Sequence, residues 1–116
     1  MKLVDTHTHI YGEKYDDDFS EVISRAEKEL EFIISIGYDL ESSKKGVELA
    51  KKYDFVYSVV GIHPVDIKKY NDEVEQELTK MATDEPKVVA IGEIGLDYHW
   101  MEDPKESQLD VFKRQI

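Results

Sequence analysis

The sequence predicts an α/β fold of four consecutive strand–helix units whose strands run parallel. Short apolar, β-branched runs recur at Lys2–Thr6, Phe32–Ile36, Phe55–Val60 and Val88–Ile91. Between them lie segments with apolar residues at helical spacing. The second to fourth runs are apolar on both faces, the pattern of parallel strands covered by helices. A length of 116 residues suits a single domain, spanning 1–116, with a modest core.

The first strand ends near Thr6 and gives way to a loop containing Gly12 and the run Asp16-Asp17-Asp18. That run lacks the Gly-containing, Glu-terminated loop of an EF-hand. Asp18 instead reads as the N-cap of a helix from Phe19, with Val22, Ile23, Ala26 and Leu30 on its apolar face. The second strand closes at Gly37, and Ser42 or Ser43 can cap a second helix with Val47, Ala50 and Tyr53 on one face. Gly46 weakens that helix without forbidding it. The third strand runs into Gly61-Ile62-His63-Pro64. Asn71 or Asp72 caps a third helix carrying Val74, Leu78, Met81 and Ala82. The fourth strand runs into Gly92-Glu93. Asp103-Pro104-Lys105-Glu106 then starts a fourth helix, with Asp at the N-cap, Pro at N1, Glu at N3, and Leu109, Phe112 and Ile116 on one face.

Composition narrows the functions. There is no cysteine, so a disulfide framework and a thiolate metal site are excluded, and any metal must use His, Asp or Glu. A formal net charge of −11 argues against a broad basic footprint for nucleic acid. It leaves room for a phosphodiester substrate, because bound divalent cations attract phosphate locally. Lys44, Lys45, Lys51 and Lys52 read as the solvated face of the second helix rather than a basic patch. No apolar run reaches the roughly 20 residues of a membrane span, and the start lacks the apolar stretch of a signal peptide, so a cytoplasmic location is expected.

The chemistry sits at the carboxyl ends of these strands. His7 and His9 are two residues apart on extended backbone, which sends both imidazoles from the same face. Glu93 follows a continuous apolar run, an expensive place for an unpartnered carboxylate. Two neutral imidazoles and a carboxylate suit a divalent cation such as zinc, manganese or, less well, magnesium. Asp5 projects beside them and either fixes an imidazole tautomer or takes a backbone hydrogen bond. His63 ends the third strand and points to the same mouth, where it binds a substrate phosphate, assists proton transfer or serves the turn. Asp97, Tyr98, His99 and Trp100 form a polar–aromatic loop past Glu93, suited either to stacking on a base or sugar or to packing. Strand-end His and Glu are how a (β/α)8 barrel builds an active site, and a closed barrel takes eight units in roughly 250 residues. Four units make half of one.

Three segments carry a family resemblance: Asp5-Thr6-His7-Thr8-His9, Gly61-Ile62-His63-Pro64 and Gly92-Glu93-Ile94-Gly95-Leu96-Asp97-Tyr98. In this order they resemble the motifs of the TatD family of metal-dependent deoxyribonucleases, with Phe112-Lys113-Arg114-Gln115 similar to the helix that follows. His-x-His alone also suits phosphoesterases of the histidinol-phosphatase type; the Gly-Glu-Ile-Gly-Leu-Asp run favours TatD. The resemblance covers essentially the whole chain but only the first half of a family member.

It implies a TIM-like barrel with two divalent cations that hydrolyses phosphodiester bonds in DNA by a metal-activated water. His7 and His9 would hold one cation, Glu93 would bridge both, and His63 would sit near the substrate phosphate. The family's two later histidines and its aspartate base have no counterpart here. The alternative is therefore a catalytically incomplete half-barrel. An open fourth-strand edge and an uncovered inner face then call for a homo-oligomer or a complementing second-half chain.

Overall fold

The computed structural model describes residues 2–100 and 102–116. Four strands, β1 (Leu3–Thr8), β2 (Leu30–Ile36), β3 (Val56–Val60) and β4 (Val88–Ile91), form one sheet in the order β1-β2-β3-β4, every pair parallel. Helices α1 (Phe19–Glu29), α2 (Leu40–Lys52) and α3 (Asp72–Asp84) make the crossovers, and α4 (Lys105–Gln115) follows β4. Short 3-10 turns lie at Glu13–Tyr15 and Pro64–Lys69. The strand–helix alternation expected from periodicity is the architecture found, the first half of a TIM barrel.

The core lies between the sheet and its helices. Ile33, Val56 and Ala50 pack with Ile10, Ile23 and Phe55, while Val60 and Val47 pack with Ile62, Leu78 and Met81. Val56 and Val60 are wholly buried, and each such aliphatic side chain contributes about 1.5–3 kcal/mol relative to exposure. Gly46 reveals its purpose here. A Cβ at that position would lie 2.8 Å from Ser58 Oγ, so α2 reaches the sheet closely only where no side chain intervenes. The other sheet face is thinly covered. Phe32 and Tyr57 pack edge-on at 5.8 Å, and Val4, the register partner of Phe32, remains exposed together with Val89 of β4. Helices therefore cover one face of β4, not both.

Several boundaries differ from the sequence expectation. Leu30 opens β2 instead of closing the apolar face of α1, because its backbone is already extended at φ −106°, ψ 148°. Asp18 occupies the N-cap position of α1, but its carbonyl rather than its side chain receives the first helical amides. The cap of α2 is Asp39, one turn before the expected serines; its Oδ1 accepts from Ser42 N while Ser42 Oγ accepts from Asp39 N, a reciprocal box. Asn71 caps α3 through Val74 N, as anticipated. At α4 the cap position falls to Pro104, displacing Asp103 outward. Its expected apolar face is reversed: Leu109 and Ile116 are exposed, while Gln108 is buried. Three of the α2 lysines pair with acids, Lys44 with Glu77, Lys45 with Glu41 and Lys51 with Glu85, consistent with a solvated charged face. Among the described residues no helix is long and apolar enough to cross a membrane.

Candidate metal centre

The carboxyl ends of β1, β3 and β4 meet. One ligand atom from each of His7, His9 and Glu93 lies within 4.8 Å of the others. His7 Nε2 is 3.7 Å from Glu93 Oε2, and His63 Nε2 is 3.8 Å from Glu93 Oε1, so the two carboxylate oxygens face different histidines. All four residues singled out by motif are thus in one place, although β1 and β4 are at opposite edges of the sheet. The curvature of a twisted parallel sheet brings its edges towards a common mouth.

Backbone contacts fix the carboxylate. Gly92 N–H donates to Val60 O at 2.9 Å, and Glu93 N–H donates to Gly37 O at 2.7 Å, tying the end of β4 to β3 and β2. Gly61 allows this approach. A Cβ there would stand 2.6 Å from the Gly92 carbonyl oxygen and 2.9 Å from Ile94 Cγ2.

The histidines differ in what they offer. His9 Nδ1 lies 3.0 Å from the Ile36 carbonyl, which only accepts, so Nδ1 bears the hydrogen and Nε2 keeps the lone pair a cation needs. Tyr11 donates its hydroxyl to the same carbonyl. Burial, before any other cause, pushes the Tyr11 phenol up to about 12, which keeps it a neutral donor. His63 Nδ1 accepts from Val65 N–H at 3.2 Å, so in the neutral ring Nε2 carries the hydrogen and presents a donor to the mouth. His63 also caps the Pro64–Lys69 turn, joining its turn role to its place in the cluster. Asp5 takes the backbone reading: its Oδ1 accepts His7 N–H at 3.1 Å. A register shift between Asp5 and Thr8 puts three β1 residues against two of β2, breaking the alternation that would keep Asp5 in step with His7.

Two glutamines of α4 escaped the sequence reading. Gln115 grips Ile62 on both sides, accepting from its N–H at 2.8 Å and donating to its carbonyl at 3.1 Å. Gln108 accepts from Asp97 N–H and donates to the carbonyls of Asp97 and Asp103. Their seven-residue spacing, two helical turns along one stripe, was the available signal. Arg114 anchors the same helix to α3 through Asp72 and Glu75. Asp97 Oδ1 accepts from the amides of His99 and Trp100, and the Trp100 bond, foremost, holds its carboxyl below the usual range. Trp100 itself is 71% exposed, so it does not serve as packing for the described residues. Beside His9 opens a cleft of ≈520 Å³ whose lining includes Tyr11, Tyr38 and Lys45.

Parallel βα units that gather histidines and a glutamate at their strand ends place the chain in the (β/α)-barrel class, of which it forms one half. Within that class the chain belongs to the TatD related DNase family, whose model matches residues 4–116. It is 44% identical over 115 residues to the uncharacterized metal-dependent hydrolase YabD of Bacillus subtilis, spanning 98% of this chain and 45% of that protein. It is 33% identical over 115 residues to the 3'-5' ssDNA/RNA exonuclease TatD of Cronobacter turicensis, covering 98% of this chain and 43% of the relative. The crystal structure of YJJV, a TatD homolog from Escherichia coli K12, superposes with a TM-score of 0.85 at 29% identity, over 97% of this chain and 44% of that one. The chain therefore spans under half the length of the curated relatives it matches.

Proposed function

We propose that residues 1–116 form one half-barrel unit of a phosphodiesterase that acts on nucleic acid with the help of divalent cations. The observation that carries this is the convergence of His7, His9 and Glu93 within 4.8 Å, with His63 Nε2 beside the same carboxylate. The donor chemistry fits a cation. His9 has its Nδ1 engaged and a free Nε2, and Glu93 has one oxygen toward His7 and the other toward His63, an arrangement able to serve two ions. Two imidazoles and a carboxylate suit zinc or manganese, and magnesium less well. His7, His9 and Glu93 would hold such a cation, which would supply neutralisation of phosphate charge and a lowered pKa for bound water.

The residues of the chain have separate tasks in this reading. His7, His9 and Glu93 are the metal ligands. His63 donates its Nε2–H to a phosphate oxygen, which aligns the ester and offsets charge developing on it. The names of the relatives, an ssDNA/RNA exonuclease among them, support nucleic acid as the substrate class. Hydrolysis of labelled single-stranded DNA with manganese or magnesium, by this chain and by Glu93→Ala purified identically, tests the proposal. Activity in the parent that is lost in the variant supports it; equal rates refute it for this polypeptide.

A second reading has its own observation. The chain spans 43–45% of those relatives, and Leu3, Val4 and Val89 of the sheet are exposed. A half-barrel of this kind self-associates, or pairs with a complementing chain, and has no hydrolase activity alone. Light scattering tests it: a folded monomer at micromolar concentration argues against self-association.

A further inference from the structure

We propose that the Asp97–Trp100 turn is a base-stacking platform, on which the indole of Trp100 takes a nucleobase of single-stranded nucleic acid. This deepens the nuclease reading and rests on it, but its observations are independent of the metal donors. Trp100 is 71% exposed, the most exposed aromatic ring of the described residues, and lies seven residues past Glu93 at the same end of the sheet. The ring is held out from a braced turn. Asp97 Oδ1 binds the His99 and Trp100 amides at 2.8 and 3.1 Å. Gln108, 1% exposed, fastens Asp97 from beneath through both its N–H and its carbonyl, and reaches Asp103 with the same amide nitrogen. His99 meets the indole in a T-shaped pair at 4.8 Å, which leaves at least one ring face uncovered by it, and Lys105 Nζ stands 4.6 Å over the neighbouring Tyr98 ring.

An exposed apolar ring on a flexible loop implies little. On a turn whose backbone is braced by a buried glutamine, only the ring's own rotamer is left to fix on binding, so less entropy is lost there than on a flexible loop. The occupant follows from charge and place. With a formal net charge of −11, the chain without bound cations offers a polyanion little long-range attraction. Stacking on the uncharged face of a base supplies affinity without that attraction, and it is tolerant of sequence.

Trp100 is the protein's one tryptophan, so its emission reports the platform directly. The chain is titrated, without divalent cations, with an oligothymidylate of about 10 nucleotides and with an abasic strand of equal length. Quenching by the oligothymidylate is expected, with binding roughly 5- to 150-fold tighter than to the abasic strand, the cost of losing one stacked base. Trp100→Ala should bind both strands alike, and Trp100→Phe should keep most of the preference. Binding without a change in emission, no binding, or a preference that survives in Trp100→Ala overturns the proposal. So does emission that follows protein concentration, which assigns the ring to a second copy of the chain. The nuclease reading fails by a different readout: no metal-dependent cleavage of bis(p-nitrophenyl) phosphate by the parent.

Discussion

Gly61→Ala sets two opposite effects against each other, and the structure decides between them. Among the described glycines the positive φ is at Gly95, 133°, and not at Gly61, so alanine at position 61 meets no backbone penalty. On the unfolded side, the substitution restricts the chain and stabilises by about 0.4–1 kcal/mol. The new methyl, however, would sit 2.6 Å from the Gly92 carbonyl oxygen and 2.8 Å from its carbonyl carbon. Carbon contacts are comfortable near about 3.5–4.0 Å, so backbone, not a pliable side chain, must give way. Overpacking costs about 1–3 kcal/mol, and a clash with backbone falls in the upper part of that range, about 2–3, so even after a gain of about 1 kcal/mol a net loss of roughly 1–2 kcal/mol remains. At about 4 °C per kcal/mol for a chain of this size, melting should fall by roughly 4–8 °C in calorimetry. The displaced residue adjoins Glu93, whose carboxylate stands 3.7 Å from His7 and 3.8 Å from His63, so manganese affinity should fall as well. Unchanged melting together with unchanged affinity would refute the argument that this close approach positions the carboxylate.

The His7→Ala, His9→Ala double variant should lose about 10- to 100-fold or more in manganese or zinc affinity by titration calorimetry, since even outer partners of a metal site are worth that much. Gln108→Leu leaves the part-buried Asp97 amide without its acceptor; a loss of about 1–3 kcal/mol in urea unfolding and faster hydrogen exchange at Asp97 are expected. Asp39→Ala should cost about 1 kcal/mol at neutral pH through the lost cap. Burial favours protonation of Asp39, yet hydrogen bonds from Ser42 and Lys69 outweigh it and hold the carboxyl below its ordinary value. A carboxylate depressed in the folded state stabilises above its unfolded pKa, about 3.9, and loses that contribution as pH falls through the folded value. The melting gap between parent and Asp39→Ala should therefore hold steady near neutrality and close in acid; a gap that widens there contradicts the ionic cap.

Periodicity was enough for the strand–helix order, because parallel strands and amphipathic crossovers bury different faces and so write different spacings. The same reading erred where a local preference met a competing one. Ser42 has the chemistry of a cap, but Asp39 stands where the chain leaves β2, and the serine becomes its partner across the box. For Asp5 the sequence left two roles open, and the structure takes the backbone hydrogen bond, from His7 N–H to Asp5 Oδ1. Leu109 and Ile116 suggest a buried stripe on α4, whereas the helix turns its glutamines inward because Ile62, Asp97 and Asp103 present backbone groups that need partners.

For the site, residue type and strand-end position were legible in the sequence: His7, His9 and His63 are three of only four histidines, and Glu93 is a carboxylate placed directly after an apolar run. Their convergence was not. Residues 7 and 93 meet only because the intervening strands curve into part of a barrel, and distance across a sheet is a property of its twist rather than of any local spacing. The tertiary structure likewise assigned the protons, giving His9 a free lone pair through the Ile36 carbonyl and His63 an outward N–H through Val65. A sequence lists donors and acceptors; which of them are already engaged depends on neighbours that only folding supplies.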